Sequence, residues 1–187
     1  AYYNQKYRES IEKLKAFMTK YPNSPFEEDA LYFLADSYYR NENWQQAADG
    51  FGEIIKIPGS AYVSRSLDKR GKALVNLGQF AQAIHNYHML SKRAVNQKET
   101  FQAHEGLMNT YVKLNKSDSA LFFADKILES DYKPANAEAS AWLVKGKIYL
   151  QKKNYNLAVD ELLKVMNDSK NESGVEATYL LGRVYFE

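Results

Sequence analysis

Apolar residues recur along nearly the whole chain at helical spacing, i, i+3, i+4 and i+7, as at Leu31, Leu34, Ala35 and Tyr38. The pattern predicts ten helices, over 4–20, 25–40, 44–56, 61–76, 80–95, 98–114, 117–130, 135–151, 155–168 and 174–186, and no strand. Short polar segments separate alternate pairs: Arg40-Asn41-Glu42-Asn43, Asn76-Leu77-Gly78-Gln79, Asn115-Lys116-Ser117-Asp118 and Gln151-Lys152-Lys153-Asn154. Each pair therefore reads as a helical hairpin, helix A followed by helix B.

The hairpins repeat. A small residue followed three positions later by an aromatic or aliphatic one recurs as Ala35/Tyr38, Gly71/Leu74, Met108/Tyr111, Gly146/Tyr149 and Gly182/Tyr185, with Met108 the one large residue at the first position. Twelve positions after the first four come Ala47, Ala83, Ala120 and Ala158, at steps of 36, 37 and 38. Four residues further lie Phe51, Tyr87, Ala124 and Leu162, and three beyond those Ile54, Leu90, Ile127 and Val165. Ser10, Leu14 and Phe17 occupy the same three slots one step earlier. Internal periodicity of this length means stacked units, none of which buries its apolar face alone. The small residue on A and the alanine on B are expected to let the two backbones approach closely. The 15 tyrosines are thereby assigned mainly to ring packing with the hydroxyl near water or a carbonyl.

Junctions carry their own signals. Ser24-Pro25-Phe26-Glu27 predicts an N-cap at Ser24, proline at the first helical position and a capping box closed by Glu27. Ser173-Gly174-Val175-Glu176 reads as a second capping box, and Pro58-Gly59 and Lys133-Pro134 punctuate two other junctions.

These slots resemble the tetratricopeptide repeat (TPR), over residues 4 to 187. The resemblance implies an all-α, right-handed α-solenoid of antiparallel hairpins: a half repeat at 1–22, repeats at 23–59, 60–96, 97–133 and 134–172, and a half repeat at 173–187, all in a single array. The family period is about 34 residues, so the junctions of this chain should be longer. The stretch Tyr21-Pro22-Asn23-Ser24-Pro25-Phe26-Glu27-Glu28-Asp29-Ala30-Leu31 resembles junctions of bacterial cell-envelope repeat proteins, among them outer-membrane assembly lipoproteins and the repeat domain of the Tol–Pal coordinator. That implies a periplasmic or outer-membrane-associated setting, with the cytoplasm as the alternative. The chain begins Ala1-Tyr2-Tyr3 and ends Tyr185-Phe186-Glu187 inside an apolar helical pattern, so it reads as a fragment of a longer protein.

Composition narrows the chemistry. A net charge of +2, with basic and acidic residues interspersed, does not suit nucleic acid as a main partner. No apolar run approaches the ~20 residues of a membrane span. Without cysteine there is no disulfide and no thiolate metal site. His85 and His88 lie three apart on a predicted helix B, beside Gln82, Asn86 and Ser91 but no third ligand, and read as solvated surface histidines. His104, in a slot held elsewhere by Leu31, Leu67 and Trp142, reads as half-buried. Glycines are single and mostly within helices, so no phosphate-cradling loop is expected. Asn115, Asn167 and Asn171 open glycosylation sequons that carry no functional weight. Neither catalysis nor a cofactor or metal is expected.

The family resemblance implies a concave groove lined by helix A. Carried over by register, its residues are Asp36, Lys72, Asn109, Lys147 and Arg183 after the small slot, Tyr32, Asp68, Glu105, Leu143 and Tyr179 four positions earlier, and Tyr39, Val75, Val112, Leu150 and Phe186 three positions later. Lys72, Lys147 and Arg183 form a basic row, and Tyr32, Tyr39 and Tyr179 are expected to offer rings toward the ends. Tyr32 and Asp36 stand where chaperone-tail binders of this family carry lysine and asparagine, so that clamp is absent. The leading expectation is a scaffold that holds a protein or peptide in this groove. A structural assembly module, with self-association through the exposed C-terminal helix left open, and a substrate-recruiting part of a larger enzyme are the alternatives.

Overall fold

The computed structural model describes residues 2–168 and 172–186, all but the turns in helix: α1 (Tyr2–Lys20), α2 (Glu27–Arg40), α3 (Trp44–Lys56), α4 (Val63–Asn76), α5 (Phe80–Arg93), α6 (Gln97–Lys113), α7 (Ser117–Leu128), α8 (Ala137–Gln151), α9 (Tyr155–Asp168) and α10 (Glu172–Phe186). No strand occurs among the described residues. Ser169 and Asn171 of two sequons, Ala1 and Glu187 lie outside them.

The helices form two compact units, residues 1–95 and 96–187. In the first, α1 to α5 pack in chain order, and α2 also meets α4, A-type helix on A-type helix. In the second, α6 to α10 do the same, and α8 meets α10. Every A–B turn is three residues long and places one residue in the left-handed region: Glu42 (φ 60°), Gly78 (71°), Asn115 (53°) and Lys153 (57°). The turn needs that conformation to reverse the chain in so few residues, and only glycine adopts it without penalty.

Packing across the hairpins follows a volume rule. Two helix-A glycines face the helix-B residue sixteen positions on, Gly71 with Tyr87 and Gly146 with Leu162; Ala35 and Phe51, and Met108 and Ala124, hold the same slots, and all eight residues are buried. A Cβ placed at Gly71 would come within 2.5 to 2.9 Å of the Tyr87 ring, and one at Gly146 within 2.8 Å of Leu162 Cγ and Cδ2. The small residue of A thus receives the large residue of B, while at Gly146 the Ala158 carbonyl also lies 3.7 Å from the Cβ position, the close backbone approach expected of that alanine. Met108 and Ala124, in the same two slots, reverse the sizes and keep the summed volume, and so the packing density.

One position earlier a second pair alternates in character. It is Leu34/Gly50 and Leu107/Phe123 in two repeats, but Arg70/Asn86 and Lys145/Glu161 in the others. Arg70 donates from Nε to the Ala48 carbonyl on α3 (3.1 Å) and from its guanidinium to Asn86 Oδ1 on α5 (3.3 Å), while Asn86 Nδ2 donates to the Leu67 carbonyl. Lys145 likewise bridges Asp125 on α7 (2.7 Å) and Glu161 on α9 (3.2 Å). Burial would lower the pKa of Lys145, but those two carboxylates outweigh it and raise the pKa. Asn86, fully buried, is no surface neighbour of His85 and His88, because Arg70 and the Leu67 carbonyl satisfy its amide.

Two caps differ from expectation. α2 starts at Glu27, and Ser24 Oγ accepts from the Phe26 N–H (3.2 Å) in a turn ahead of the helix rather than capping it. The same serine turn recurs at Ser60 with Tyr62 (3.1 Å) and Ser130 with Tyr132 (3.2 Å). Ser173 already lies inside α10, which begins at Glu172. The N-cap that the sequence reading missed is Asn96, whose side chain accepts from the Glu99 N–H (2.9 Å) at the start of α6.

Candidate functional site

The slots singled out on the A-type helices resolve differently in the two units. In the first, Tyr32 is 6% exposed. Its ring stacks on Tyr62 of the next junction (4.2 Å, 16°), and Tyr62 in turn donates to Asp29 (2.5 Å). Tyr32 is therefore a packing residue and offers no ring to a ligand, because its slot is where the following A-type helix arrives. Asp36 is half-buried and accepts from Arg40 Nε (2.7 Å) and Lys69 Nζ. Burial alone would raise its pKa, but the hydrogen bonds from Lys69 and Arg40 outweigh that and hold it below the ordinary value. Lys69 lies over the rings of Tyr32 (5.6 Å) and Tyr39 (6.0 Å). Tyr39 is half-buried, edge-on to Trp44 (5.3 Å), and burial raises its pKa. Asp68 is buried: Oδ2 accepts from Lys72 (2.8 Å), and Oδ1 has no hydrogen-bond partner among the described residues. The carboxylates of this surface are engaged within the unit, which leaves the Tyr39 edge and the half-exposed Lys72 as its outward features.

In the second unit, A-type helices α6 and α8 bound a cleft of about 290 Å³. Its walls include Asn109 and Val112 from α6 and Leu143, Val144 and Lys147 from α8. Asn109 is exposed, Val112 is 38% exposed, and Leu143 is buried in the wall at 8%. The structure thus brings together Asn109, Leu143 and Lys147 of the residues read from sequence, with Glu105 half-buried one turn before Asn109 on α6. Lys147 pairs with Glu176 of α10 at 2.7 Å, both partly exposed, an ion pair weak enough to be exchanged for a ligand's carboxylate. Tyr179 (67% exposed) and Arg183 stand on the outer face of α10. Chemically this surface offers an apolar floor, the amides of Asn109, Asn115 and Gln151, and the cations of Lys116 and Lys147.

The histidines lie elsewhere. His85 and His88 are exposed on α5, and burial, then the Lys92 and His85 charges, lower the pKa of His88. His104 is half-buried with its ring 5.6 Å from that of Phe123. No group of three or more metal-ligating side chains occurs among the described residues. No described helix is long and apolar enough to cross a membrane.

Comparisons with known proteins agree with this geometry. Two family models described as tetratricopeptide repeat match residues 1–61 and 139–167. The crystal structure of a tetratricopeptide repeat protein from Parabacteroides merdae ATCC 43184 is similar in fold, with a TM-score of 0.69 over 97% of this chain and 77% of that one, at 20% identity. No curated protein sequence matches the chain.

Proposed function

We propose that this chain, a tetratricopeptide-repeat protein and so a protein–protein interaction scaffold, grips an extended segment of its partner on the A-type helices of its second unit. The observation that carries the reading is the cleft between α6 and α8, where exposed Asn109 and Val112 face Lys147 across the Leu143 floor. An extended peptide needs an amide partner for its backbone, an apolar pocket for one side chain and a charge to set its direction. The cleft supplies all three, with Lys116 beside Lys147, and favours a segment with an acidic residue beside an aliphatic anchor. Charge contributes mainly to orientation and on-rate, and the anchor mainly to affinity. Its role on this reading is holding rather than catalysis. The Tyr21-Pro22-Asn23-Ser24-Pro25 junction supports a bacterial cell-envelope setting.

A displayed random-peptide library selected on the 187-residue chain tests the reading. Selected peptides should share an acidic residue near an aliphatic one. Val112→Asp and Lys147→Glu should each weaken them at least tenfold, while His88→Ala on α5 leaves binding unchanged. Loss with His88→Ala alone, or equal loss with all three, places the binding surface elsewhere.

A further inference from the structure

The cleft between α6 and α8 is graded along its length. On α8 its lining residues follow one stripe from Ser140 to Gln151, about 16 Å long at a rise of about 1.5 Å per residue. The aliphatic Leu143 and Val144 lie toward the start of that stripe, and Lys147 comes next. The far end is polar, where Asn115, Lys116 and Ser117 of the α6–α7 turn stand with Gln151. The polar surface continues past Gln151. Lys152 Nζ donates to Asp118 Oδ1 (2.7 Å), which ties the α8–α9 turn to the start of α7. Lys152 and Lys153, with Asn154, Tyr155 and Asn156, line an open depression of about 440 Å³. Lys113, Lys116, Lys152 and Lys153 are all exposed. The Asp118 side chain is 93% exposed, so a ligand's carboxylate can take its place on Lys152.

This basic edge is particular to the second unit. The stretches 112–121 and 150–159 hold four lysines and a single carboxylate, Asp118. The equivalent stretches of the first unit, 39–48 and 75–84, hold Arg40 and Glu42 as their only charged residues. At the opposite edge of the second unit the sign reverses. The α7–α8 junction and its flanks, 125–138, carry Asp125, Glu129, Asp131 and Glu138 against Lys126 and Lys133. A unit with one basic and one acidic edge draws an acidic ligand toward the former.

We infer that the partner segment held in the cleft continues over this edge, so that it carries a run of acidic residues on one side of its aliphatic anchor. The inference rests on the cleft being the binding site. Spacing sets the motif. Lys147 lies about 5 Å along α8 from Leu143 and Val144, and Lys152 about 7.5 Å further. An extended segment advances about 3.3 Å per residue. Its first acidic residue therefore falls one or two positions from the anchor, and the next two or three positions beyond that. Lys116, Lys152 and Lys153 meet the later ones. Continuity favours a peptide over a lipid or nucleic-acid surface, because Lys116 belongs both to the edge and to the cleft. A cleft of about 290 Å³ admits an extended chain and neither a bilayer nor a duplex.

Fluorescence polarisation on the whole chain tests this with labelled glycine–serine peptides. The short probe carries one leucine and one glutamate two positions away, made in both chain orders. The long probe adds three glutamates beyond the first. In the order that binds better, the long probe should bind about fivefold to tenfold more tightly than the short one at low salt, and about 0.5 M salt should remove that gain. Lys152→Glu combined with Lys153→Glu, both at exposed positions, should keep the parent's circular dichroism. It should abolish the gain and leave the short probe within about twofold of its parent affinity. Lys147→Glu should weaken both probes. A long probe no tighter than the short one, or a gain that survives the double reversal, overturns the proposal and leaves the cleft reading standing. A short probe that does not bind, or that ignores Lys147→Glu, overturns both. Binding to phosphatidylglycerol vesicles or duplex DNA that depends on Lys152 and Lys153 and is tighter than to the long probe would assign the edge to that surface and overturn the proposal.

Discussion

Exchanging the volumes of Gly71 and Tyr87 tests the packing rule on which the repeat reading rests. The two positions are sixteen apart, both are buried, and a Cβ at Gly71 would lie 2.5 Å from Tyr87 Cζ. Gly71→Met alone must displace that ring, an overpacking cost of about 1–3 kcal/mol. It is offset by under about 1 kcal/mol from the better helix propensity of methionine. Tyr87→Ala alone removes a fully buried ring and leaves a cavity, at about 3–5 kcal/mol by analogy with other buried aromatics. The double variant recreates the arrangement of Met108 and Ala124, both fully buried in the second unit. There the methionine fills the space the ring vacated, so the double should be more stable than Tyr87→Ala. The coupling should be favourable by about 2–3 kcal/mol. Urea unfolding followed by circular dichroism gives all four stabilities. Additivity within about 0.5 kcal/mol would mean that the two side chains do not share one space, and the volume rule would fail.

Lys145→Leu should cost about 1.5–3 kcal/mol, because it leaves the buried Glu161 carboxylate with Lys164 alone of its two cations, and adding Glu161→Phe, which copies Leu107 and Phe123, should recover most of it in the same urea assay. Gly78→Ala, at a φ of 71°, should lower stability by about 1 kcal/mol, whereas Glu42→Gly, at the equivalent turn with φ 60°, should raise the melting temperature slightly. Asp36 has a folded-state pKa below its unfolded value, so its contribution is present above the ordinary carboxylate value of about 4 and is lost as pH falls from there. Melting followed from pH 7 down to pH 3 should show a smaller acid loss for Asp36→Asn than for the parent, and equal losses would refute that role.

The hairpins were legible because two helix-A and three helix-B slots repeat at steps of 36 to 38, and helical periodicity survives any one exception. Met108 stands out in sequence as an exception until Ala124 is seen to hold the slot that Tyr87 and Leu162 fill opposite a glycine. What was not legible depends on neighbours outside the hairpin. Tyr32 reads as an exposed ring on its own helix, but Tyr62, thirty residues on, closes over it. Asn86 reads as a surface amide until Arg70 is seen reaching it from the preceding helix. Of the candidate groove, Asn109, Leu143 and Lys147 come together because α6 and α8 flank one helix, α7, while Tyr179 stays apart on the outer face of α10. Helical phase specifies which residues leave the hairpin core, but not which of those the next helix covers.

The period longer than the family's can be located. The A–B turns are all three residues, fixed by the left-handed residue each one needs. The B–A junctions are not constant: 21–26 and 57–62 each hold six residues, 94–96 three, and 129–136 eight. Three of these four contain the serine turn ahead of an aromatic residue. At two of them the ring is used to tie the junction to the preceding A-type helix, Tyr62 to Tyr32 and Tyr132 to Phe101 (5.9 Å). A longer junction therefore does not loosen the stack, because the residues it adds include a ring that packs back onto it. The consequence falls on the proposed binding surface: at those two junctions the ring meets an aromatic near the start of the preceding A-type helix. Within each unit, the A-type surface left uncovered is thereby concentrated toward the C-terminal halves of those helices, where Tyr39 lies in the first and Val112 and Lys147 in the second.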